Sequence, residues 1–238
     1  MRRASCCCRH GSCCTAALAG GADPSLPEDG RARAGASPPP LAAALRSRKY
    51  LCLLAARGCS DAAWYFYLFW LPGYFQEARG LSLAAVGRLL WIPYLTAGAG
   101  ALAGAWLSSL LIQRGASLDR ARKAVLFPSA CAASLGTLVY FIADHALAVA
   151  LVAAALFAHQ SWSTNIHTAI SEVSPPAHVA VLYGVTGAAG TAMGALAQLA
   201  IGPTVDAAGY QAVFVGAGVI YLAAGLLLAG AGRIEPAA

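Results

Sequence analysis

The chain has 238 residues, of which 59% are apolar and 11% charged, and its mean hydropathy is +0.63. Ordinary soluble domains are about a quarter charged, so this composition excludes a soluble globular domain and predicts a membrane protein. The net charge of +6 follows from where Lys and Arg fall around the apolar spans, and nucleic-acid binding is not needed to account for it.

Residues 1–47 are rich in Ala, Gly, Pro and Arg and show no apolar periodicity, so they are expected to form a disordered tail. Five of the eight cysteines, Cys6, Cys7, Cys8, Cys13 and Cys14, lie here. They lack paired CxxC spacing and a histidine partner set beyond His10, so no zinc site is expected. Cysteines and a Gly/Pro-rich stretch stand where a signal peptide needs its apolar core. The tail is expected to be a poor translation start or the scar of a truncated gene.

A crossing helix needs about 20 mainly apolar residues. Six runs are long enough: 50–75, 84–112, 124–143, 146–169, 179–202 and 211–231. Their short linkers leave no room for a soluble catalytic domain, and the domain organisation expected is a six-helix bundle over 48–233 with a short tail at 234–238. With the N-terminus inside, one side of the membrane collects the five tail arginines, Arg46, Arg48, Lys49, Arg114, Arg120, Arg122, Lys123 and Arg233, and the other side only Arg79 and Arg88. Positive loops stay on the cytoplasmic side, so both termini are expected in the cytoplasm.

In the first span Arg57 and Asp61 stand at i and i+4 and share one helix face with Trp64 and Leu68. Ionisable groups inside a span are costly and usually face a bundle interior or cavity. The pair reads either as mutual neutralisation that orients the helix or as the lining of an ion or substrate path.

The second and third spans carry few polar groups, but the fourth ends in FAHQSWSTNIHTAIS, 157–171. At about 100° per residue, His159, Gln160, Ser163, Thr164 and His167 share a sector that Ser161, Asn165 and Thr168 extend. Such a helix cannot be mostly lipid-facing and is expected to wall an aqueous cavity. Two histidines eight residues apart with no matching pair elsewhere do not make a metal or haem site, so no cofactor and no metal are expected. Gly100 and Gly104 in the second span, and Gly184, Gly187, Gly190 and Gly194 in the fifth, form small-residue faces suited to close helix packing.

The pattern Arg57, Asp61, Trp64, Phe66, Phe69, Trp70, Leu71, Pro72 resembles the seventh helix of hexuronate-type transporters, in the anion:cation symporter branch of the major facilitator superfamily. GALAGAWLSSLLIQRGASLDRARK (100–123), FAHQSWSTNIHT and YGVTGAAGTAMG (183–194) are similar to that family's helix 8 to helix 9 loop, helix 10 and helix 11. The resemblance runs from about Arg48 to Arg233 and matches only the C-terminal six of twelve helices. It implies an all-α membrane fold of two inverted three-helix repeats with a substrate site near the midplane, shared with another half.

It further implies substrate contacts from Asp61, Trp64, Tyr67, Gln160, Ser161, Trp162, Ser163, Asn165 and Thr191, and a gating loop of Arg114, Arg120, Arg122 and Lys123. The family's main carboxylate-binding arginine and proton-coupling acids lie mostly in the N-terminal half, so a coupling role for the Arg57–Asp61 pair is an expectation from its spacing within the span and not from the resemblance. Where the family often has Ser-Asp, this chain has Ser108-Ser109, which leaves the loop arginines without their acidic partner. The expected function is therefore the C-terminal half of a proton-coupled symporter for hexuronate- or aldonate-like sugar acids in a bacterial-type inner membrane, not an enzyme and inactive alone. The expected partners are the anionic substrate, protons, the lipid bilayer, and a missing N-terminal half or a second copy. The alternative is a non-transporting six-helix membrane protein, a degenerate fragment or an intramembrane enzyme. Against an intramembrane serine protease, Gly115-Ala116-Ser117 lies in a charged loop.

Overall fold

The computed structural model describes residues 39–236, and every element in them is helical. The cysteine-rich stretch and most of the expected disordered tail lie outside these residues. The last part of that tail, however, is built into the bundle: α1 (Leu41–Leu45) is a short helix, Ala44 is buried, and the Pro39 carbonyl accepts a hydrogen bond from His178 Nε2 at 2.9 Å.

The same device starts four of the longer helices. Ser47, Ser82, Ser117 and Asp144 each accept a hydrogen bond from the backbone N–H three residues on, and so cap α2 (Arg48–Phe69), α4 (Leu83–Gln113), α5 (Leu118–Ser134) and α6 (His145–Val173). A short polar side chain at this position satisfies one of the donors that the first turn leaves orphaned. Between α2 and α4 the chain passes through α3 (Leu71–Gly73) and a π-helical turn, Tyr74–Ala78. After α5 a 3-10 stretch, Leu135–Phe141, continues the same crossing.

The last element, α7 (Val179–Gly230), has 52 residues and is broken at Gly209, with φ 71° and ψ 177°. Unbroken, it would be about 78 Å long, more than twice the apolar thickness of a bilayer. The expected linker between 202 and 211 is thus helical almost throughout, and the chain turns at a single glycine in a region of backbone space that other residues essentially do not enter. Among the described residues four stretches are long and apolar enough to cross a membrane: Leu83–Gln113, Leu118–Phe141, His145–Val173 and Val179–Gly230. The 22-residue α2 is less apolar because Arg57, Asp61, Trp64 and its tyrosines interrupt the aliphatic run.

α2 packs most extensively on α7, and α4 on α6. A Cβ on Gly100 would collide with the Phe157 backbone and one on Gly104 with Ser161, so these two glycines bring α4 and α6 together at backbone distance, as expected for small-xxx-small faces. Of the four glycines in the first arm of α7, Gly190 abuts Asp61 and Gly194 the Tyr65 ring, while Gly184 and Gly187 face open space.

The buried apolar residues form two separate clusters. The distal core gathers Ala63, Phe66, Tyr67, Leu71, Tyr74, Phe75, Ala158 and Phe214, among others. The proximal core gathers Tyr50, Leu53, Ala56, Leu126, Trp162, Ile166, Leu228 and Ile234. On α2 the first ends at Ala63 and the second at Ala56, and on α6 they end at Ala158 and Trp162. The residues left between them, 57–62 and 159–161, form a polar belt across the middle of the bundle.

Candidate functional site

Arg57 is the tenth of the 22 residues of α2 and so lies near mid-length of a helix about 33 Å long. Its Nε donates to Asp61 Oδ2 at 2.7 Å across one helical turn. Its Nη1 donates to Ser163 Oγ on α6 at 2.9 Å and lies 2.9 Å from His167 Nδ1. His167 Nδ1 is also 2.9 Å from the Ser163 carbonyl. In one tautomer it accepts from Arg57 and in the other it donates to that carbonyl. Asp61 is 3% exposed, with Gly190 of α7 against its carboxylate. The i, i+4 pair expected from the sequence is therefore formed, and α6 supplies two further partners that spacing within α2 could not reveal.

One turn toward the distal core, Trp64 stacks on His159 with ring centroids 4.7 Å apart and an interplanar angle of 7°. His159 is buried, and its Nδ1 lies 2.7 Å from the Tyr221 hydroxyl in the second arm of α7. Tyr221 was not among the residues the sequence singled out. It sits within an aliphatic run where nothing distinguishes it from a packing aromatic.

The polar arc of α6 is divided among three surroundings. His159, Ser163 and His167, spaced four apart, face α2 and α7. Ser161 and Asn165 face α4 and α5: Ser161 Oγ accepts from Ser129 Oγ at 3.1 Å, and Asn165 Oδ1 accepts from Arg122 Nη1 at 3.2 Å. Between these flanks Gln160, Thr164 and Thr168 are partly exposed, and the two threonine hydroxyls donate to carbonyls of their own helix. Trp162 is fully buried in the proximal core and its indole N–H has no partner among the described residues. Tyr67 is likewise packed in the distal core against Gly136 and Phe214, its hydroxyl unpaired. Thr191 is exposed and donates to the Gly187 carbonyl. Arg57, Asp61, Ser163 and His167 are thus brought together, with Trp64 one turn beyond Asp61 on α2, while Gln160 lies on the partly exposed strip of α6 and Tyr67, Ser161, Trp162, Asn165 and Thr191 lie in other environments.

The four cations expected in a gating loop do not act as a set: Arg114 alone lies in the α4–α5 connection, and Arg120, Arg122 and Lys123 are in the first turns of α5. Arg114 and Arg120 are exposed. Lys123 pairs with Asp119 at 2.6 Å and donates to the Gly232 carbonyl at 2.7 Å, while the Ile234 N–H donates to Asp119 at 2.8 Å. Residues 232–234, at the edge of the expected C-terminal tail, are in this way held on the start of α5.

Arg122 is buried and makes a two-point contact with Glu172 of α6, Nε to Oε2 at 3.1 Å and Nη2 to Oε1 at 2.6 Å. Its Nη1 donates to Ser108 Oγ at 2.7 Å. The pair Ser108-Ser109 was expected to leave the arginines without their acidic partner. The acid is supplied instead by Glu172, fifty residues beyond Arg122 in the chain. The one sequence signal for it is register, since Glu172 is seven residues after Asn165, on the same face of α6.

Comparison with known proteins fits this architecture. Residues 14–197 match the family model of the Major Facilitator Superfamily. The chain is 28% identical over 179 residues to a probable galactarate/D-glucarate transporter of Bacillus subtilis, covering 74% of this chain and 39% of that protein. It is 27% identical over 186 residues to the hexuronate transporter of Escherichia coli K12, covering 77% and 43%. A D-galactonate transporter of Escherichia coli is 26% identical over 154 residues, covering 63% and 35%. The chain thus spans about two fifths of the length of the curated relatives it matches. On the match over residues 14–197, the chain belongs to the major facilitator superfamily, a family of transporters and not of enzymes.

Proposed function

We propose that the chain is one bundle of a proton-coupled carrier for organic anions, with hexuronate- or aldonate-like sugar acids as substrates. The observation that carries this reading is the cluster of the buried Asp61 with the half-buried Arg57, Ser163 and His167, at mid-length of α2 and in the second half of α6, with Trp64 one turn beyond Asp61 and the partly exposed Gln160 one turn before Ser163. It combines a cation for a carboxylate with hydroxyl, imidazole and amide groups for sugar hydroxyls. The names of the relatives from Bacillus subtilis and Escherichia coli support sugar acids as the class.

In this reading six spans cross a bacterial inner membrane with both termini cytoplasmic: α2, α4, α5 with its 3-10 extension, α6 and the two arms of α7. They form two three-helix repeats of inverted topology, and a second bundle closes the site, because alternating access requires two bundles that rock around a shared midplane site. The chain alone then does not transport. In cells lacking hexuronate and aldonate uptake, expression of the chain alone gives no growth on those acids, and co-expression with the N-terminal half of a hexuronate transporter restores growth. Concentrative uptake by the chain alone in proteoliposomes overturns the half-carrier reading. Cysteine labelling tests the topology, with residues near Gly80, His145 and Ala207 outside and those near Gly115 and Ser174 inside.

A further inference from the structure

A groove of about 530 Å³ runs between α4, α5 and α6 and is lined by no residue of α2 or α7. Small side chains, Ala124, Pro128, Ala132 and Ala153, line it together with the well-exposed Leu107 and Phe157. The adjoining surface of α4 is strongly apolar as well, with Leu102 and Trp106 both exposed. The polar side chains of the lining already have partners. Ser129 Oγ donates to Ser161 Oγ at 3.1 Å, and the Thr96 hydroxyl lies 2.8 Å from the Pro93 carbonyl and 3.2 Å from the Ala153 carbonyl. The groove therefore selects an apolar occupant, since a sugar acid would find no unengaged polar side chain in it.

Its length and its charged end say more. On α5, Arg120, Ala124, Pro128 and Ala132 stand at successive four-residue steps, neighbours from turn to turn. From the first to the last of them the helix rises about 18 Å, close to the roughly 15 Å of hydrocarbon in one leaflet of a bilayer. On α4, Arg114 caps the C-terminus two turns beyond Leu107, on the same stripe of the helix. Arg114 and Arg120 thus flank the proximal end of the groove. Both are exposed, and neither side chain has a hydrogen-bond or ion-pair partner among the described residues. The nearby acids are engaged: Asp119 with Lys123 and the Ile234 N–H, Glu172 with Arg122, and Glu235, across the cleft that Arg120 also borders, with Lys49 and Arg233.

We propose that this groove binds one anionic phospholipid, with an acyl chain lying along Ala124 to Ala132 and the phosphate held by Arg114 and Arg120. An apolar groove one leaflet deep with two unpaired cations at its end is complementary to a hydrocarbon chain that carries a negative headgroup, and basic pockets between crossing helices take such headgroups. Contact between the chain and the small-residue lining supplies affinity common to every phospholipid. The two guanidinium groups supply the preference for a negatively charged one. Arg122 and Lys123 cannot stand in for them, because Glu172 and Asp119 already hold those two cations. The bound lipid joins α4, α5 and α6 from outside, the same three helices that Arg122 joins from within. This site is separate from the Arg57 cluster and does not depend on sugar acids being the substrate.

The test is native mass spectrometry of the full-length chain in detergent, titrated with dioleoylphosphatidylglycerol, with dioleoylphosphatidylcholine and with glycerol phosphate. The two lipids share their acyl chains and differ in net charge, and glycerol phosphate offers the anion without a chain. The expected result is one tightly retained phosphatidylglycerol per chain, bound at least about tenfold more tightly than phosphatidylcholine, and no adduct with glycerol phosphate. Replacing both Arg114→Gln and Arg120→Gln is expected to bring phosphatidylglycerol down to the affinity of phosphatidylcholine. Ala132→Phe, which fills the groove, is expected to weaken both lipids at least about tenfold. Elution of each variant as a single symmetrical peak establishes folding, and the wild type and the variant of the two exposed arginines decide the matter if Ala132→Phe does not fold. Equal affinity of the wild type for the two lipids, a preference unchanged without the two arginines, or undiminished binding by a folded Ala132→Phe overturns the site. Glycerol phosphate binding as tightly as the whole lipid assigns the arginines to a free anion, and a lipid-free dimer assigns the groove to a second copy; either result overturns the proposal.

Discussion

Two buried arginines, Arg57 and Arg122, meet α6 at different depths, and they are bonded in opposite ways. Arg122 holds Glu172 at two points across two helices and gives its remaining bonded nitrogen to Ser108 and Asn165, so every nitrogen of the guanidinium is occupied. Arg57 holds Asp61 at one point within its own helix, shares Nη1 between Ser163 and His167, and leaves Nη2 without an acceptor among the described residues. The first arrangement is a closed clamp tying α4, α5 and α6 together near the proximal core. The second lies in the polar belt and has room for another acceptor. Burial alone does not separate them, since the two side chains are 9% and 15% exposed. What separates the two here is the count of satisfied donors.

The comparison breaks most directly at Arg122. Arg122→Ala leaves Glu172 half-buried without its cation and is expected to lower stability by about 3–5 kcal/mol, read from denaturant unfolding in detergent. Replacing Arg122 and Glu172 together by Met is expected to recover most of that loss, because apolar groups of similar volume substitute well for a buried ion pair. A smaller effect is expected at the other arginine. Arg57→Gln should cost about 1–3 kcal/mol, the scale of an unmatched polar group, because Asp61 can become neutral by taking a proton. A loss at Arg57 equal to that at Arg122 would erase the distinction.

Between these in kind, though not in the arginine pair, is the hinge. Gly209→Ala is expected to cost about 1–3 kcal/mol through backbone strain alone, with both arginine sites intact. Two serine changes sharpen the contrast: Ser108→Ala removes a buried acceptor of the closed clamp and should cost about 1.5–3 kcal/mol, of the same order as the hinge, whereas Ser163→Ala should have the smallest effect, about 0.5–1.5 kcal/mol, because the open site admits a replacement.

The apolar runs, the Arg57–Asp61 pair and the close approach at Gly100 and Gly104 were all legible in the sequence. Each depends on neighbours within one or two turns of a helix, where spacing fixes geometry. The partners of Arg122 were not legible. Ser108, Asn165 and Glu172 lie 14, 43 and 50 residues away, and nothing local ties an arginine near the start of α5 to an acid on another helix. The polar arc of α6 was legible as an arc but not as three surroundings, because helical phase gives the direction of a side chain and not which helix stands there. Tyr67 and Trp162 illustrate the same limit, since an aromatic residue with a polar tip reads alike in a cavity wall and in a core. The turn at Gly209 was expected as a longer linker, and the interior Pro203 proved compatible with continued helix.

The division into two cores has a consequence for synthesis. The distal core draws its buried members from Ala63 to Tyr221, whereas the proximal core includes both Ala44 and Ile234. Chains emerge from the ribosome N-terminus first, so the distal core can close as soon as Tyr221 has emerged, but the proximal core stays open until Ile234 follows it, and a ribosome paused between these two residues holds the bundle half-closed.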